Sequence, residues 1–289
     1  MSTHQYDVIV CGKGPAGIQA ALYIKRANLN VLVIGKDGGA LERVDKIGNY
    51  YGYSLIDGKT LLNASYQQAK DLDIDIQSEE ITSLVQIETG FEVITNLNTY
   101  STKAIILATG ATRNSIKIPG IKELEGRGVS YCSICDAFFY QKKTVGVLGH
   151  GAFAAQEARE LLDIASKIYV FTNGLQPSSD FDSKVEFITE PLVSINGTDR
   201  IKSVTTTNQT IELSGLFIAL GSATSVDLAT KLGLEIENNK IEVTKRQQTN
   251  MPGIFAAGDC TPGIMQVAKA VGEGCIAALE AINYVRTWK

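Results

Sequence analysis

The sequence predicts an α/β protein with two Rossmann-like (ββα-type) nucleotide-binding domains, the second inserted into the first. Three observations lead to this expectation. A glycine-rich turn joins an apolar run to a helix-like stretch, the same pattern returns 137 residues later, and the C-terminal segment resembles a return to the first copy. A chain of 289 residues is long enough for about two domains with cores of their own.

The first pattern is a strand, a glycine turn and a helix. Its parts are the β-type run Asp7–Cys11, the turn GKGPAG at Gly12–Gly17 and the alanine-rich stretch Ile18–Ala27. In such a turn Gly12 makes the bend, Gly14 lets the backbone approach a pyrophosphate, and Gly17 lets the helix pack close to the strand. The next predicted strand, Val31–Ile34, is followed by glycine and lysine rather than by an acid. The contact to a nucleotide ribose is therefore left unassigned.

The first copy continues with further elements that alternate between helix and strand. They are the helix Leu61–Leu72, the strand Ile74–Gln77, the hairpin Leu84–Thr95 and the buried strand Ala104–Ala108. Thr109 and Gly110 follow the last of these strands. Ligands of parallel sheets bind at the carboxyl ends of the strands, so these two residues are candidates for ligand contact.

The second copy repeats this order with less chain. It consists of the strand Val145–Leu148, the turn Gly149–Ala154, a helix from about Ala155 to Ala165, the strand Lys167–Phe171 and the strand Leu216–Gly221. Gly221 follows Gly110 by only 111 residues, so the first copy holds 26 extra residues, which we place in Gly38–Asp71. We expect one domain at residues 1–115 and 246–289, and an inserted domain at residues 116–245.

The C-terminal tail carries a turn, a short strand and a closing helix. The stretch Met251–Asp259 is a turn and an apolar strand that ends in Gly258 and Asp259, and Gln266–Trp288 is helix-like. An acid at this place can bond a ribityl hydroxyl, and a helix that begins at Gln266 and Val267 can stabilise negative charge on a reduced flavin. The alternative is that Gly258 and Asp259 form only a turn.

The pair Cys132 and Cys135, with Asp136 directly behind it, forms a CxxC motif. Two thiols at this spacing can close a small disulfide, and the acid can manage the proton of dithiol chemistry. Half of a zinc site or two small buried residues are the alternatives. The remaining ligand candidates are three other cysteines, His4 and His150, none at ligand spacing, so redox chemistry is favoured.

Composition narrows the class of protein. The chain is 44% hydrophobic and 20% charged, as in ordinary soluble proteins. A net charge of -4 argues against nucleic acid as a partner. Met1–Tyr6 lacks the pattern of a signal peptide, and no apolar run approaches the roughly 20 residues of a membrane span. We therefore expect a cytoplasmic protein that binds no membrane and holds no metal.

Four motifs in this order resemble the low-molecular-weight thioredoxin reductases. They are GKGPAG at Gly12–Gly17, ATGA at Ala108–Ala111, YCSICDAFFY at Tyr131–Tyr140 and PGIFAAGDC at Pro252–Cys260. The resemblance covers nearly the whole chain and implies a homodimer with bound FAD. The implied FAD-binding residues are Gly12, Gly14, Pro15, Ala16, Gly17, Gly39, Leu41, Asn49, Thr109, Gly110, Gly258, Asp259, Gln266 and Val267.

Two departures from this family concern the electron donor. NADPH-dependent members carry an acid or serine after the second glycine turn, where this chain has Ala152 and Phe153. Their next strand is followed by arginines for the 2′-phosphate, whereas Val170–Pro177 contains no cation. We therefore do not expect NADPH as a cofactor. The motifs around Gly39, Asn49 and Gly258 are similar to the ferredoxin-dependent flavin thioredoxin reductases of anaerobic bacteria, which implies ferredoxin as the donor and thioredoxin as the substrate.

The resemblance also implies roles for the CxxC residues. Cys135 would face the flavin and form a transient adduct, Cys132 would be the exposed thiolate that attacks the thioredoxin disulfide, and Asp136 would protonate a leaving thiolate. Three alternatives stay open: a thioredoxin reductase that uses NADPH or NADH, a flavin dithiol oxidase, and a non-catalytic flavin redox sensor.

Overall fold

The computed structural model describes residues 4–111 and 117–288, and the chain divides into two compact units. The first unit is Met1–Thr112 with Thr224–Lys289, and the second is Arg113–Ala223. The strands are β1 (His4–Cys11), β2 (Val31–Ile34), β3 (Asp75–Gln77), β4 (Ile81–Ile87), β5 (Gly90–Thr95), β6 (Thr99–Leu107), β7 (Val129–Ser130), β8 (Thr144–Leu148), β9 (Lys167–Phe171), β10 (Val185–Ile188), β11 (Leu192–Gly197), β12 (Ile201–Thr206), β13 (Thr210–Glu212), β14 (Gly215–Ile218), β15 (Ile236–Glu237), β16 (Lys240–Ile241) and β17 (Ile254–Ala256). The helices are α1 (Pro15–Arg26), α2 (Gly58–Asp71), α3 (Ser133–Asp136), α4 (Ala152–Leu161), α5 (Ser225–Lys231) and α6 (Val267–Thr287), with 3₁₀ turns at Gly39–Arg43 and Ala137–Tyr140.

The first unit is built on a seven-stranded sheet in the order β3-β2-β1-β6-β5-β4, with β17 also paired to β6. The strands β3, β2, β1, β6 and β17 are parallel, with Val10 in register with Val33 on one side and Ile106 on the other. β5 pairs with the first half of β6, and β17 pairs with its last residues, from Ile105 to Leu107. The tail therefore completes the edge of the first sheet, as the sequence predicts.

The core of the first unit lies between this sheet and the helices α1 and α6. The second half of β1 (Val8–Cys11), all of β2 and the end of β6 are buried because helices or strands cover both of their faces. The hairpin predicted at Leu84–Thr95 is confirmed as the antiparallel pair β4 and β5, joined at Ile87 and Gly90. α2 occupies the stretch that the sequence analysis gives to the extra residues.

The second unit repeats the parallel core. Its five-stranded sheet has the order β10-β9-β8-β14-β7, and a separate antiparallel sheet holds β11, β12 and β13. α4 begins at Ala152 and ends at Leu161, about three to four residues before the predicted bounds at each end. The fold class is confirmed: both units are Rossmann-like, and the second lies in the chain between the two segments of the first.

The predicted domain bounds of 1–115, 116–245 and 246–289 stay a prediction. The first bound, between Ser115 and Ile116, lies outside the described residues. By its contacts the segment 224–245 belongs to the first unit, because α5 packs against β4 and Lys231 Nζ donates to Thr82 O. From the sequence alone we expect this segment in the inserted domain.

Candidate functional site

The first glycine turn follows β1 and opens α1. Gly12 has φ +119°, and a Cβ there would lie 2.2 Å from Ala108 O. A Cβ at Gly17 would lie 1.9 Å from Gly12 O. Both positions therefore require glycine, the first for the bend and the second for the close approach of α1 to the turn.

Other predicted glycines face open space. A Cβ at Gly14 would meet only Gly38 O, at 4.0 Å, and Cβ atoms at Gly39 and Gly110 would meet nothing within 4 Å among the described residues. Gly14 caps α1 without a side-chain hydrogen bond, and Pro15 starts the helix. Helix N–H groups at such an end are available to a phosphate, so these residues fit the pyrophosphate of FAD.

The turn at Gly258 and Asp259 is held by charged side chains of α6. Glu273 Oε2 accepts from Gly258 N at 2.9 Å, and Lys269 Nζ donates to Gly258 O at 2.8 Å. Lys269 and Glu273 also form an ion pair at 3.1 Å, and Lys240 Nζ donates to Asp259 O. Lys269 and Glu273 are not among the residues predicted from the sequence, although an i,i+4 pair of opposite charge in an apolar helix is a readable signal.

Two further contacts join predicted FAD residues that are far apart in sequence. Asn49 Nδ2 donates to Gln266 Oε1 at 3.0 Å, across 217 residues, at the residue that caps α6. Leu41 and Val267 pack in one apolar cluster. The structure therefore brings the loop after β2 to the start of α6.

Thr109 and Gly110 are held by Ser225, a residue that the sequence analysis missed. The hydroxyls of Thr109 and Ser225 are hydrogen-bonded, and Ser225 Oγ donates to Gly110 O at 2.8 Å. Ser225 begins α5, whose capping box joins Thr224 and Asp227. The spacing of Thr224 and Asp227 is a readable helix-start signal.

A cleft of about 180 Å³ opens beside Gly38 in the first unit, near the carboxyl ends of β1 and β2. Lys13, Lys36 and Tyr66 are among its lining residues. Tyr66 OH donates to Lys13 O at 3.0 Å, and burial, with smaller effects from Glu42 and Asp37, raises the pKa of Tyr66 to about 12. The hydroxyl is therefore a neutral donor at physiological pH.

The CxxC motif lies on the one-turn helix α3 of the second unit. Cys132 and Cys135 form a disulfide, with Cα atoms 5.3 Å apart. Cys132 caps α3, its Sγ accepts from Cys135 N at 3.2 Å, and it is 2% exposed. Cys135 is exposed and Asp136 is half-buried. In this disulfide form Cys132 is therefore the less exposed of the two sulfurs, whereas the predicted order of attack uses it as the exposed thiolate. The roles assigned to the two sulfurs and to Asp136 stay a prediction.

The two buried free cysteines, Cys11 and Cys260, are held as protonated thiols. Burial raises the pKa of Cys11, and it raises the pKa of Cys260 to about 11. A thiol held protonated in this way is a poor nucleophile and metal ligand. Among the described residues no three His, Cys, Asp or Glu side chains are grouped to hold a metal ion, and no helix is both long and apolar enough to cross a membrane.

The second glycine turn is covered by its neighbours. Ser178 N donates to His150 O at 2.8 Å, and Ser178 Oγ lies 3.1 Å from His150 Nδ1. Phe153, in the first turn of α4, is 1% exposed and packs in the core. The ring of Phe153 therefore points into the core of the second unit.

Two glycine-turn units and a redox disulfide together define a nucleotide-dependent disulfide oxidoreductase. The sequence model of the pyridine nucleotide-disulphide oxidoreductases matches residues 6–274, and the chain belongs to this family. It is similar to the thioredoxin reductase of Bacillus subtilis (strain 168), at 33% identity over 97% of this chain and 95% of that protein. It is also similar to the thioredoxin reductase of Listeria monocytogenes, at 32% identity over 98% and 95%.

Solved structures agree with these relatives. The atypical thioredoxin reductase TRi from Desulfovibrio vulgaris Hildenborough matches with a TM-score of 0.91 and 36% identity, over 97% of this chain and 98% of that one. A ferredoxin-flavin thioredoxin reductase from Clostridium acetobutylicum matches with a TM-score of 0.75 and 31% identity, over 99% and 100%. The predicted resemblance to the thioredoxin reductase family is confirmed.

Proposed function

We propose that this protein is a flavin-dependent thioredoxin reductase that takes electrons from reduced ferredoxin. FAD binds in the first unit, and the pair Cys132 and Cys135 carries electrons to the disulfide of thioredoxin. The observation that carries the proposal is the Cys132–Cys135 disulfide, with Asp136 beside it, in a chain similar to thioredoxin reductases over nearly its whole length.

The exchange with thioredoxin balances as a thiol–disulfide reaction. Two electrons, taken one at a time from reduced ferredoxin and passed on by FAD when it is bound, would break the Cys132–Cys135 bond, and with two protons they would leave two thiols. Asp136 would take the proton of the Cys132 thiol, the Cys132 thiolate would attack one sulfur of the thioredoxin disulfide, and Asp136 would return the proton to the other sulfur as it leaves. Cys135 attacks the mixed disulfide, restoring the Cys132–Cys135 bond and releasing thioredoxin as a dithiol.

A protein substrate is supported by the surface around the disulfide. Ile134, Phe138 and Phe139 are 50%, 73% and 67% exposed, next to the two cysteines. Exposed apolar side chains of this size are typical of contact with another protein.

The donor assignment is supported by the second unit. Residues 170–177 contain no cation to pair with a 2′-phosphate, and Ser178 is bonded to His150 over the glycine turn. The similar protein from Clostridium acetobutylicum is a ferredoxin-flavin enzyme by name. NADPH is therefore not proposed as the donor.

A nicotinamide donor is the second candidate, because the chain belongs to the pyridine nucleotide-disulphide oxidoreductases and keeps the second glycine turn. A Cβ at Gly149 would lie 2.1 Å from Ala219 O, so this turn still requires glycine.

We also propose that the protein is cytoplasmic and forms a homodimer. Analytical ultracentrifugation is expected to give a mass of about twice the 31.1 kDa of one chain.

Anaerobic mixing of the FAD-loaded protein with one donor at a time distinguishes the two candidates. We expect reduced ferredoxin to bleach the flavin absorbance within the enzyme's turnover time, and NADPH and NADH to leave it unchanged. Rapid bleaching by either nicotinamide would remove the ferredoxin assignment and leave the thioredoxin reductase function intact.

A cysteine variant tests the route of the electrons. Cys135→Ser is expected to keep flavin reduction by ferredoxin and to lose thioredoxin reduction completely, because no disulfide remains to be reduced. Cys275→Ser is the matched control, since Cys275 is a free, half-buried cysteine of α6, and we expect it to retain turnover. Full turnover by Cys135→Ser in a coupled thioredoxin assay would contradict the scheme.

A further inference from the structure

The helix that follows the second glycine turn contacts the CxxC motif. Glu157, on α4, is 1% exposed, and its Oε2 accepts from Ser133 N at 2.8 Å. Ser133 is itself fully buried and stands between the two cysteines. In a nucleotide-binding domain this helix points its N-terminus at a phosphate, whereas here its middle supports the redox turn.

The hydrogen bonds of α3 explain why an outside support is needed. The helix is a single turn, in which Cys135 N donates to Cys132 Sγ and Asp136 N donates to Cys132 O. One helical turn fixes several dihedral angles for very few bonds and is unstable by itself. Glu157 supplies an acceptor for the first N–H of this turn from another element.

We infer that Glu157 is a positioning residue that holds the CxxC turn in the geometry that favours the disulfide. The effect of this contact on thioredoxin reduction rests on the proposed function. A turn fixed at Ser133 keeps the two sulfurs close, which raises their effective concentration toward each other. The closed disulfide is then harder to reduce, and the dithiol is a stronger reductant of its substrate.

Equilibration of the whole protein with dithiothreitol tests this role without using a donor or thioredoxin. Two electrons and two protons pass from dithiothreitol to the cysteines, the Cys132–Cys135 bond breaks, and the cyclic disulfide of dithiothreitol forms. Alkylation followed by mass measurement gives the fraction of protein in the dithiol form at each ratio of reduced to oxidised dithiothreitol. A failure of the proposed function would leave this equilibrium unaffected, so the two ideas are tested separately.

Variants at Glu157 separate the hydrogen bond from the charge. Glu157→Leu removes the acceptor and is expected to shift the equilibrium about tenfold toward the dithiol, equivalent to about 30 mV. Glu157→Gln keeps an acceptor oxygen for Ser133 N without the charge, and it should stay within about threefold of the unmodified protein. Glu160→Gln is the control on the same helix, since that carboxylate accepts from the Gln156 side chain, and we expect no shift.

A variant of Ser133, whose N–H donates to Glu157, gives an independent test if Glu157→Leu fails to fold. Ser133→Pro removes the N–H at the first position of α3, where proline is tolerated, and Cys132 already has the extended backbone that a residue before proline adopts. It should shift the equilibrium about as far as Glu157→Leu, when read against Ser133→Ala, which keeps the N–H. An unchanged equilibrium in Ser133→Pro, or equal shifts in Glu157→Gln and Glu157→Leu, would overturn the inference.

Discussion

Glu79 is an almost fully buried carboxylate that accepts hydrogen bonds from three side chains of the first unit. Thr95 Oγ1 donates to it at 2.5 Å, and Asn98 Nδ2 and Tyr100 OH donate at 2.8 Å. Buried carboxylates persist only when they are hydrogen-bonded in this way. The network fixes the β5–β6 turn against the chain that enters β4.

The same network makes the free energy of unfolding depend on pH in the alkaline range. Burial, and then the hydrogen bond to Glu79, raise the pKa of Tyr100 to about 12, from an ordinary value of 10.0. The fold therefore favours the neutral phenol, whose contribution is complete below pH 10 and is lost as the pH rises toward 12. We expect the free energy of unfolding to fall by about 2–3 kcal/mol through this window because of Tyr100.

Denaturant unfolding of Tyr100→Phe at several pH values checks this expectation. The variant should lose about 1 kcal/mol below pH 10, for the missing hydrogen bond, and should show a shallower fall above it. Tyr51→Phe is the control, since Tyr51 is 98% exposed, and its pH dependence should match that of the unmodified protein. Parallel curves for Tyr100→Phe and Tyr51→Phe would refute the assignment.

At the scale of the element, α6 closes the first unit through its glycines. A Cβ at Gly274 would lie 2.2 Å from Ala16 O, where α6 crosses α1. A Cβ at Gly272, two residues earlier, would meet nothing within 4 Å among the described residues. One glycine is therefore required by helix packing, and the other is an exposed glycine in a helix interior.

This pair gives opposite predictions for one substitution. Gly272→Ala is expected to stabilise the protein by about 0.5–1 kcal/mol, because alanine is the better helix former. Gly274→Ala is expected to destabilise it by about 1–3 kcal/mol and to weaken FAD retention, because it forces α6 away from Ala16. Thermal unfolding and the flavin content after gel filtration measure both effects, and a stabilising Gly274→Ala would contradict the packing described here.

At the scale of the whole molecule, every predicted FAD residue belongs to the first unit and both CxxC cysteines to the second. A ligand stabilises the unit that binds it. We therefore expect two unfolding transitions in calorimetric scans of the FAD-free protein. Addition of FAD should raise the unfolding temperature of only one of them. Gly274→Ala should lower that same transition, which identifies it as the first unit. A shift confined to the other transition would move the FAD site out of the first unit.

Much of the fold is encoded locally and was predicted. The glycine turn at Gly12, the hairpin that turns before Gly90 and the closing helix from Gln266 follow from short-range rules: the alternation of strands, the helical period and the demands of tight turns. The short helix α5 was not predicted, although its capping box is readable, because one seven-residue helix gives little periodic signal.

By itself the sequence determined the two Rossmann-like copies, the redox pair Cys132 and Cys135, and the family, because each depends on residues close together in the chain. Only the tertiary structure decided that Asn49 meets Gln266, that Lys269 and Glu273 hold the turn at Gly258, and that Glu157 supports Ser133. The physical reason is that each of these contacts joins residues far apart in the chain, and the fold alone selects which distant polar groups come within hydrogen-bond distance.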